Sequence, residues 1–295
     1  MHEALSSAAD QPDAPQITVV LLETFSYAVN VTTDEGLLPI HLAAMSGFST
    51  GLRTLFAYNF KTIYCRECTE MMLPIDFAVD GYNSEEVEVS DVSNRELLSV
   101  AHQHSVPKEN SIDKKGNFMS CIEILLSSSF YGRPILSPRN SARNEPFLPL
   151  HGAVTSQPLL PTWKSLLSLY GRDHISDEDK LGRTIAHTLC ATKSHDEATE
   201  IEMAKDMHNH DSDLFSLVDN YGFLPLHLTL LSEHVPNNFL RTIIEFNRSS
   251  IEVEINGSLQ SLYTGLTAYQ VAAASNCDLS VIMLLLRSNP TLVQS

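Results

Sequence analysis

The sequence lacks any apolar run long enough to cross a membrane. Its longest apolar runs, such as 281–286, fall far short of the ~20 residues that a membrane-spanning helix needs. The first residues are polar and acidic, without the basic start and apolar stretch of a secretory signal peptide. We therefore expect a soluble protein of the cytoplasm or the nucleus, with no membrane partner.

Basic residues are also scarce. The chain holds 19 lysines and arginines against 36 aspartates and glutamates, which gives a net charge of −17. A general nucleic-acid binder needs a net basic surface, so this composition argues against nucleic acid as a partner. An acidic surface favours a protein partner with a basic surface, or it serves solubility alone.

Cysteines are few, odd in number and widely spaced, which is typical of reduced thiols. Cys65 and Cys68 form half of a zinc site, but a structural site needs four ligands and the sequence contains no second pair. His208 and His210 lie in an acidic stretch, yet residues two apart on a helix point to different sides. We expect no metal and no other cofactor.

Sequence motifs of catalysis are missing as well. The chain has no glycine-rich phosphate loop, no G-x-S-x-G nucleophile motif and no H-E-x-x-H zinc motif. We therefore predict that the protein is not an enzyme.

What the sequence does contain is a recurring motif. A polar turn ends in glycine, and then come Leu, Pro, an apolar residue, His and small apolar residues, most clearly at 34–44 and 219–231. The proline suits the first turn of a helix. Neighbouring copies are about 35 to 43 residues apart, except for one step about twice as long. The histidine position of the six copies is occupied by His41, Asp76, His151, His187, His227 and Gln270.

These copies resemble the ankyrin repeat, whose pattern is T-P-L-H-x-A at a period of ~33 residues. The resemblance implies helix–turn–helix units that stack into a curved solenoid and are joined by projecting turns, here called fingers. We therefore predict an all-α ankyrin-like solenoid over residues 16–290, with a capping helix first and about six repeats after it. Residues 1–15 are predicted to be a disordered tail, and residues 291–295 form a short C-terminal tail.

The long step falls in repeat 2. We predict an insertion over 82–116, between an inner helix that ends near Gly81 and an outer helix that includes Phe118. The alternative, a degenerate seventh repeat, would lack the Pro-x-His turn. A basic linker follows at 131–147, and Ser137 within it is a candidate phosphorylation site because a phosphate beside arginines gains charge-assisted hydrogen bonds. An inert linker is the other interpretation.

The six residues at the histidine position are interpreted as structural. The resemblance implies that the histidine bonds to its own repeat and to the next one. Asp76 and Gln270 replace it, which puts the bonds between repeats in doubt at repeats 2 and 6.

The resemblance implies a protein-binding scaffold or adaptor that uses its fingers and concave face. The alternative is a regulatory subunit whose catalytic activity resides in another chain. The fingers before repeats 4 and 5 are acidic, and a tyrosine is typical of interfaces. We predict that a basic partner segment binds there, although Asp179 and Asp219 could instead only hold their turns. The predicted site consists of Asp177, Glu178, Asp179, Asp219 and Tyr221.

Overall fold

The computed structural model describes residues 13–95, 114–131, 147–192, 196–232 and 235–289. Within these ranges the regular structure is helical throughout, with thirteen α-helices, short 3₁₀ segments and no strand. The all-α prediction is therefore confirmed. The chain divides into two compact units, Met1–Phe147 and Leu148–Ser295.

The first unit holds repeats 1 and 2. Its helices are α1 (Ala14–Thr24), α2 (Pro39–Met45), α3 (Ser49–Tyr58), α4 (Pro74–Arg95) and α5 (Lys114–Tyr131), with 3₁₀ segments at Ser26–Asn30 and Phe60–Tyr64. Helices α2 and α3 form one repeat, and α4 and α5 form the next. The predicted capping helix is α1, which packs on α3 and begins within the predicted N-terminal tail.

The second unit holds repeats 3 to 6. Its helices are α6 (Pro149–Ser156), α7 (Leu160–His174), α8 (Ile185–Ala191), α9 (Glu197–His210), α10 (Pro225–Leu230), α11 (Asn237–Phe246), α12 (Ala268–Ala274) and α13 (Leu279–Ser288), with 3₁₀ segments at Leu214–Ser216 and Arg248–Ile251. The inner helices α6, α8, α10 and α12 pack in series, and so do the outer helices α7, α9, α11 and α13. This repeat-by-repeat stacking is that of an ankyrin-like helical solenoid.

Inner and outer helices differ in how much of their surface is buried. All the residues of α10 are buried, whereas α11 buries only one stripe, formed by Phe239, Leu240, Ile243 and Ile244. That spacing brings apolar side chains to one face of a helix. The inner helices thus form the core, and the outer helices cover it on one side.

The predicted boundaries of the insertion in repeat 2 are wrong in part. Helix α4 continues through Gly81 to Arg95, and α5 begins at Lys114, inside the predicted 82–116 segment. A glycine inside a helix costs only about 1 kcal/mol relative to alanine, so it does not by itself end one. Phe118 also packs against this glycine, since a β-carbon at position 81 would lie 2.3 Å from Phe118 Cε1.

Several predicted segments lie outside the described residues. These are most of the N-terminal tail, residues 96–113 of the insertion, Ser137 with most of the basic linker, and the C-terminal tail. The linker starts at the last residue of α5, and the boundary between the two units follows its end at Phe147. The tails, the linker and the phosphorylation site stay predictions.

Candidate partner-binding surface

In repeats 1, 4 and 5, a histidine side chain caps the N-terminus of the inner helix. The first N–H groups of a helix have no partner within it, and the ring nitrogen Nδ1 accepts a hydrogen bond from one residue before the helix. The three bonds run from Leu38 N to His41 at 2.9 Å, from Thr184 N to His187 at 3.2 Å and from Leu224 N to His227 at 3.1 Å. Because Nδ1 accepts, the proton of each neutral ring lies on Nε2.

The protonated nitrogen Nε2 reaches the finger of the next repeat. In each case it donates to a backbone carbonyl. His41 donates to Cys65 O at 2.9 Å, His151 to Arg183 O at 3.0 Å and His187 to Phe223 O at 2.9 Å. In His227, the nearby Val253 carbonyl raises the pKa of the ring, but Nε2 forms no hydrogen bond with the described residues. The ring therefore joins two repeats in three of the four cases.

Burial keeps these rings neutral. Removal from water lowers the pKa of His41, His151 and His187, and it lowers that of His227 to about 4. When both ring nitrogens of a neutral imidazole are hydrogen-bonded, neither is left for a metal or for proton transfer. The arrangement at His41 and His187 is structural.

Asp76 and Gln270 keep the capping function of the histidine. Leu73 N donates to Asp76 Oδ2 at 2.6 Å, and Thr267 N donates to Gln270 Oε1 at 2.9 Å. Both side chains thus cap their inner helix.

Two of the predicted partner-binding residues hold their own turns. In each, the same carboxylate oxygen accepts two backbone N–H groups of its finger. Asp179 Oδ1 accepts from Leu181 at 2.8 Å and Arg183 at 3.0 Å, and Asp219 Oδ1 accepts from Tyr221 and Phe223, both at 2.9 Å. The second oxygen of Asp219 accepts from Arg183 Nε at 3.1 Å, and the residue is only 3% exposed. Asp219 is therefore buried and bonded within the fingers, and its role in binding a partner stays a prediction.

In the first unit, Glu67 has the same function, which the sequence did not reveal. The residue is 2% exposed, and its carboxylate accepts the N–H of Thr69 at 2.6 Å, that of Met72 at 3.2 Å, the Thr69 hydroxyl and the Glu70 N–H. Burial opposes the charge, but these donors outweigh it and lower the pKa of Glu67 to about 2. The loop of Cys65 and Cys68 is thus organised around a carboxylate.

The fingers of repeats 4, 5 and 6 lie side by side in the second unit. Asn220 N donates to Leu181 O at 2.8 Å, and Asn220 O accepts from Leu259 N at 2.8 Å and from the Ser258 hydroxyl at 3.1 Å. Phe223 packs between Tyr221 and Tyr263, with both ring centroids at 6.3 Å. These bonds give the three fingers one fixed arrangement.

Five side chains at these fingers make up what we call the fingertip surface. Glu178 is exposed, Tyr221 is half-buried, and Asp177 is half-buried and bonded to His174 Nδ1 at 2.6 Å. The structure adds Leu259 and Leu262, the latter 96% exposed. Sequence reasoning missed both because it considered only the acidic tips. The surface is thus Asp177, Glu178, Tyr221, Leu259 and Leu262.

Two further findings concern other classes of site. Within the described ranges, no group of three or more histidines, cysteines, aspartates or glutamates is arranged to hold a metal ion. None of the helices described is long and apolar enough to cross a membrane.

No family model and no curated protein matches the chain. Solved structures that resemble it at low similarity include the following two. One is the predatory endopeptidase Bd0816 of Bdellovibrio bacteriovorus in complex with the immunity protein Bd3460, at 13% identity, 97% coverage of both chains and a TM-score of 0.36. The other is the ankyrin repeat domain of Bcl-3, a member of the IkappaB family, at 16% identity, 96% coverage of both chains and a TM-score of 0.35. At these scores neither likeness supports a statement about this chain.

Proposed function

We propose that the protein is a non-enzymatic adaptor of the cytoplasm or nucleus that binds a basic, partly apolar segment of a partner protein. The fingertip surface of the second unit is the binding site. The observation that carries the proposal is the set of three hydrogen-bonded fingers, which expose acidic and apolar side chains that stacking does not use.

The apolar side chains supply the binding free energy. Leu262 is almost fully exposed, and burying a leucine side chain stabilises a complex by about 1.5–3 kcal/mol. Tyr221, in the neighbouring finger, offers the kind of aromatic group that is enriched among the strongest contacts of interfaces.

The acidic side chains supply partner choice. Glu178 carries its charge in water at the edge of the surface, and the whole chain carries −17. Such a field accelerates encounter with a basic segment and disfavours acidic ones.

The turns are held before a partner arrives. Asp179 and Asp219 bond to their own backbones, and Asn220 ties its finger to both neighbours. A surface that is already ordered loses less conformational entropy on binding.

The experiment is affinity capture with the full chain as bait, followed by quantitative mass spectrometry. The test variant combines Glu178→Lys with Leu262→Ser. The matched control combines Glu23→Lys with Val20→Ser, which makes the same charge reversal and a similar apolar-to-serine change at exposed positions of α1. We expect the captured amount of one or more proteins to fall at least about tenfold with the test variant, and to stay at the wild-type level with the control.

Unchanged capture by the test variant, with its helical circular dichroism intact, would remove the fingertip surface as the site. If the captured partner is an enzyme, the adaptor is its regulatory subunit, and the partner's activity measured with and without the chain decides this.

A further inference from the structure

A second surface lies on the outer side of the second unit. Helices α11 and α13 border an open groove of about 910 Å³. Its lining combines apolar side chains with three arginines and one carboxylate, that of Glu245. We call it the arginine groove, defined by Arg241, Arg248, Leu279, Met283, Leu284 and Arg287.

The apolar part of the groove belongs to the last outer helix. Helix α13 packs on α11 on one side, and no outer helix follows it among the described residues. Leu279 is nevertheless 72% exposed and Met283 is 40% exposed. Apolar side chains that are exposed beside a groove are typical of a binding surface, because a ligand that covers them removes apolar area from water.

The charge of the groove opposes that of the chain. Arg241, Arg248 and Arg287 are exposed, and none of them pairs with a carboxylate of the described residues. Three of the chain's 19 basic residues thus surround one groove, in a protein whose net charge is −17. An arginine offers a planar fork of donors that fits a carboxylate with two parallel hydrogen bonds.

Charge and shape together select the ligand. The −17 of the whole chain repels nucleic acid and anionic membranes, which are extended polyanions. A short acidic segment avoids most of that repulsion because it contacts only the groove. An amphipathic helix places apolar side chains in such a groove and charged ones along its edges.

We propose that the arginine groove binds an acidic amphipathic helix of a protein partner. Its apolar face covers Leu279, Met283 and Leu284, and its carboxylates pair with Arg241, Arg248 and Arg287. The ligand is opposite in charge to that of the fingertip surface, so one chain can hold two different partners at once. This inference does not depend on the fingertip surface.

The test uses a synthetic, fluorescein-labelled peptide of 20 residues with leucines on one helical face and glutamates beside them. Fluorescence anisotropy reports its binding to the full chain. Two control peptides are used: a scramble of the same composition, and a version with lysine in place of glutamate. We expect the helical acidic peptide to bind at least about tenfold more tightly than either control.

Variants locate the binding. Arg241→Ala with Arg287→Ala, and separately Leu279→Ser, should each weaken the peptide by about tenfold or more. Lys164→Ala with Arg172→Ala removes the same charge from exposed positions of α7 and should leave its Kd within about twofold. All the substituted side chains are exposed, so circular dichroism and Tm should match those of the wild type.

Several results would overturn the proposal. These are the absence of arginine-dependent peptide binding up to about 1 mM, or tighter arginine-dependent binding of single-stranded DNA or phosphatidylserine vesicles. Self-association in sedimentation velocity that is lost with Arg241→Ala and Arg287→Ala would assign the groove to a second copy of the chain instead.

Discussion

The imidazole at the third position of an inner helix joins two levels of structure. Nδ1 caps the helix to which the residue belongs, and Nε2 bonds to the finger of the next repeat, as at His41 and His187. No other side chain of that length offers an acceptor and a donor on opposite sides of a rigid ring. Gln270, in the last repeat, keeps only the acceptor function.

Substitutions at His187 should separate the two bonds. His187→Ala loses the cap and leaves the buried Phe223 carbonyl without a donor, which should lower the free energy of unfolding by about 2–4 kcal/mol. His187→Gln keeps the cap and should cost about 1–2 kcal/mol. Urea unfolding followed by circular dichroism measures both. Equal losses in the two variants would show that the cap contributes nothing.

The lowered pKa of the buried histidines makes stability depend on pH. The unfolded chain takes up protons near its ordinary pKa of 6.5, whereas folded His227 takes one up only near about 4. Below pH 6.5 the unfolded state therefore binds more protons than the folded state. The stability that the neutral, buried His227 contributes is complete above pH 6.5 and is lost as the pH falls towards about 4. His227 alone lowers the free energy of unfolding by about 1.4 kcal/mol per pH unit in this window, and the lowered pKa values of His41, His151 and His187 act in the same direction.

The variant His227→Gln isolates one of these protons. It retains an acceptor for Leu224 N but does not titrate, so its stability should fall less steeply than that of the wild type between pH 6.5 and 5. Urea unfolding at several pH values gives the two slopes. Parallel slopes would mean that His227 has its ordinary pKa in the folded protein.

At single positions, the sequence predicts residues with a local function better than those with a distant one. The helix starts at Pro39 and Pro225 follow from the motif, as does the turn-holding alternative for Asp179 and Asp219. That Asp219 is buried under Arg183, 36 residues earlier, depends on how two fingers pack. The carboxylate of Glu67 could not be predicted, because its finger departs from the motif.

Among the helices, α4 shows how packing overrides a local signal. Gly81 reads as a helix end, yet the helix continues to Arg95 and brings the glycine against the Phe118 ring of α5. The sequence of α4 alone does not show that the Phe118 ring of α5 occupies the space where a side chain at position 81 would lie. The repeat motif predicts which helices form, and close approaches between them set their lengths.

Gly81→Ala should therefore destabilise the first unit. Alanine gains about 1 kcal/mol in helix propensity, but its methyl group would overlap the Phe118 ring, and overpacking costs about 1–3 kcal/mol. We expect a net fall in the free energy of unfolding of up to about 2 kcal/mol, measured by urea unfolding.

Gly171→Ala in α7 is the matched control. The nearest atoms to its new methyl group are at 3.2 Å on Leu167 and 3.4 Å on His210, so a small side-chain shift accommodates it. It should be neutral or stabilising by up to about 1 kcal/mol. Adding Phe118→Leu to Gly81→Ala should recover part of the loss, and an additive result would show that the ring is not the cause.

At the scale of the molecule, the residues of stacking are separate from those that we propose for recognition. His151, His187, His227 and Asp219 are buried in the second unit, while the side chains of the fingertip surface and the arginine groove are exposed or half-buried on other parts of it. The recurrence of the motif made the repeats predictable from sequence. Leu262 and the arginine groove were not predictable, because exposure depends on neighbours that are distant in the chain.

The central claim is that the fingers of the second unit bind a partner protein. Hydrogen exchange measured by mass spectrometry tests it most directly. The full chain is measured alone and in complex with the protein whose capture falls most when Glu178 and Leu262 are substituted. We predict slower exchange of the backbone amides of 177–183, 219–223 and 255–266 in the complex, with those of α9 unchanged. Protection confined to the outer helices, with the three fingers exchanging as in the free chain, would contradict it.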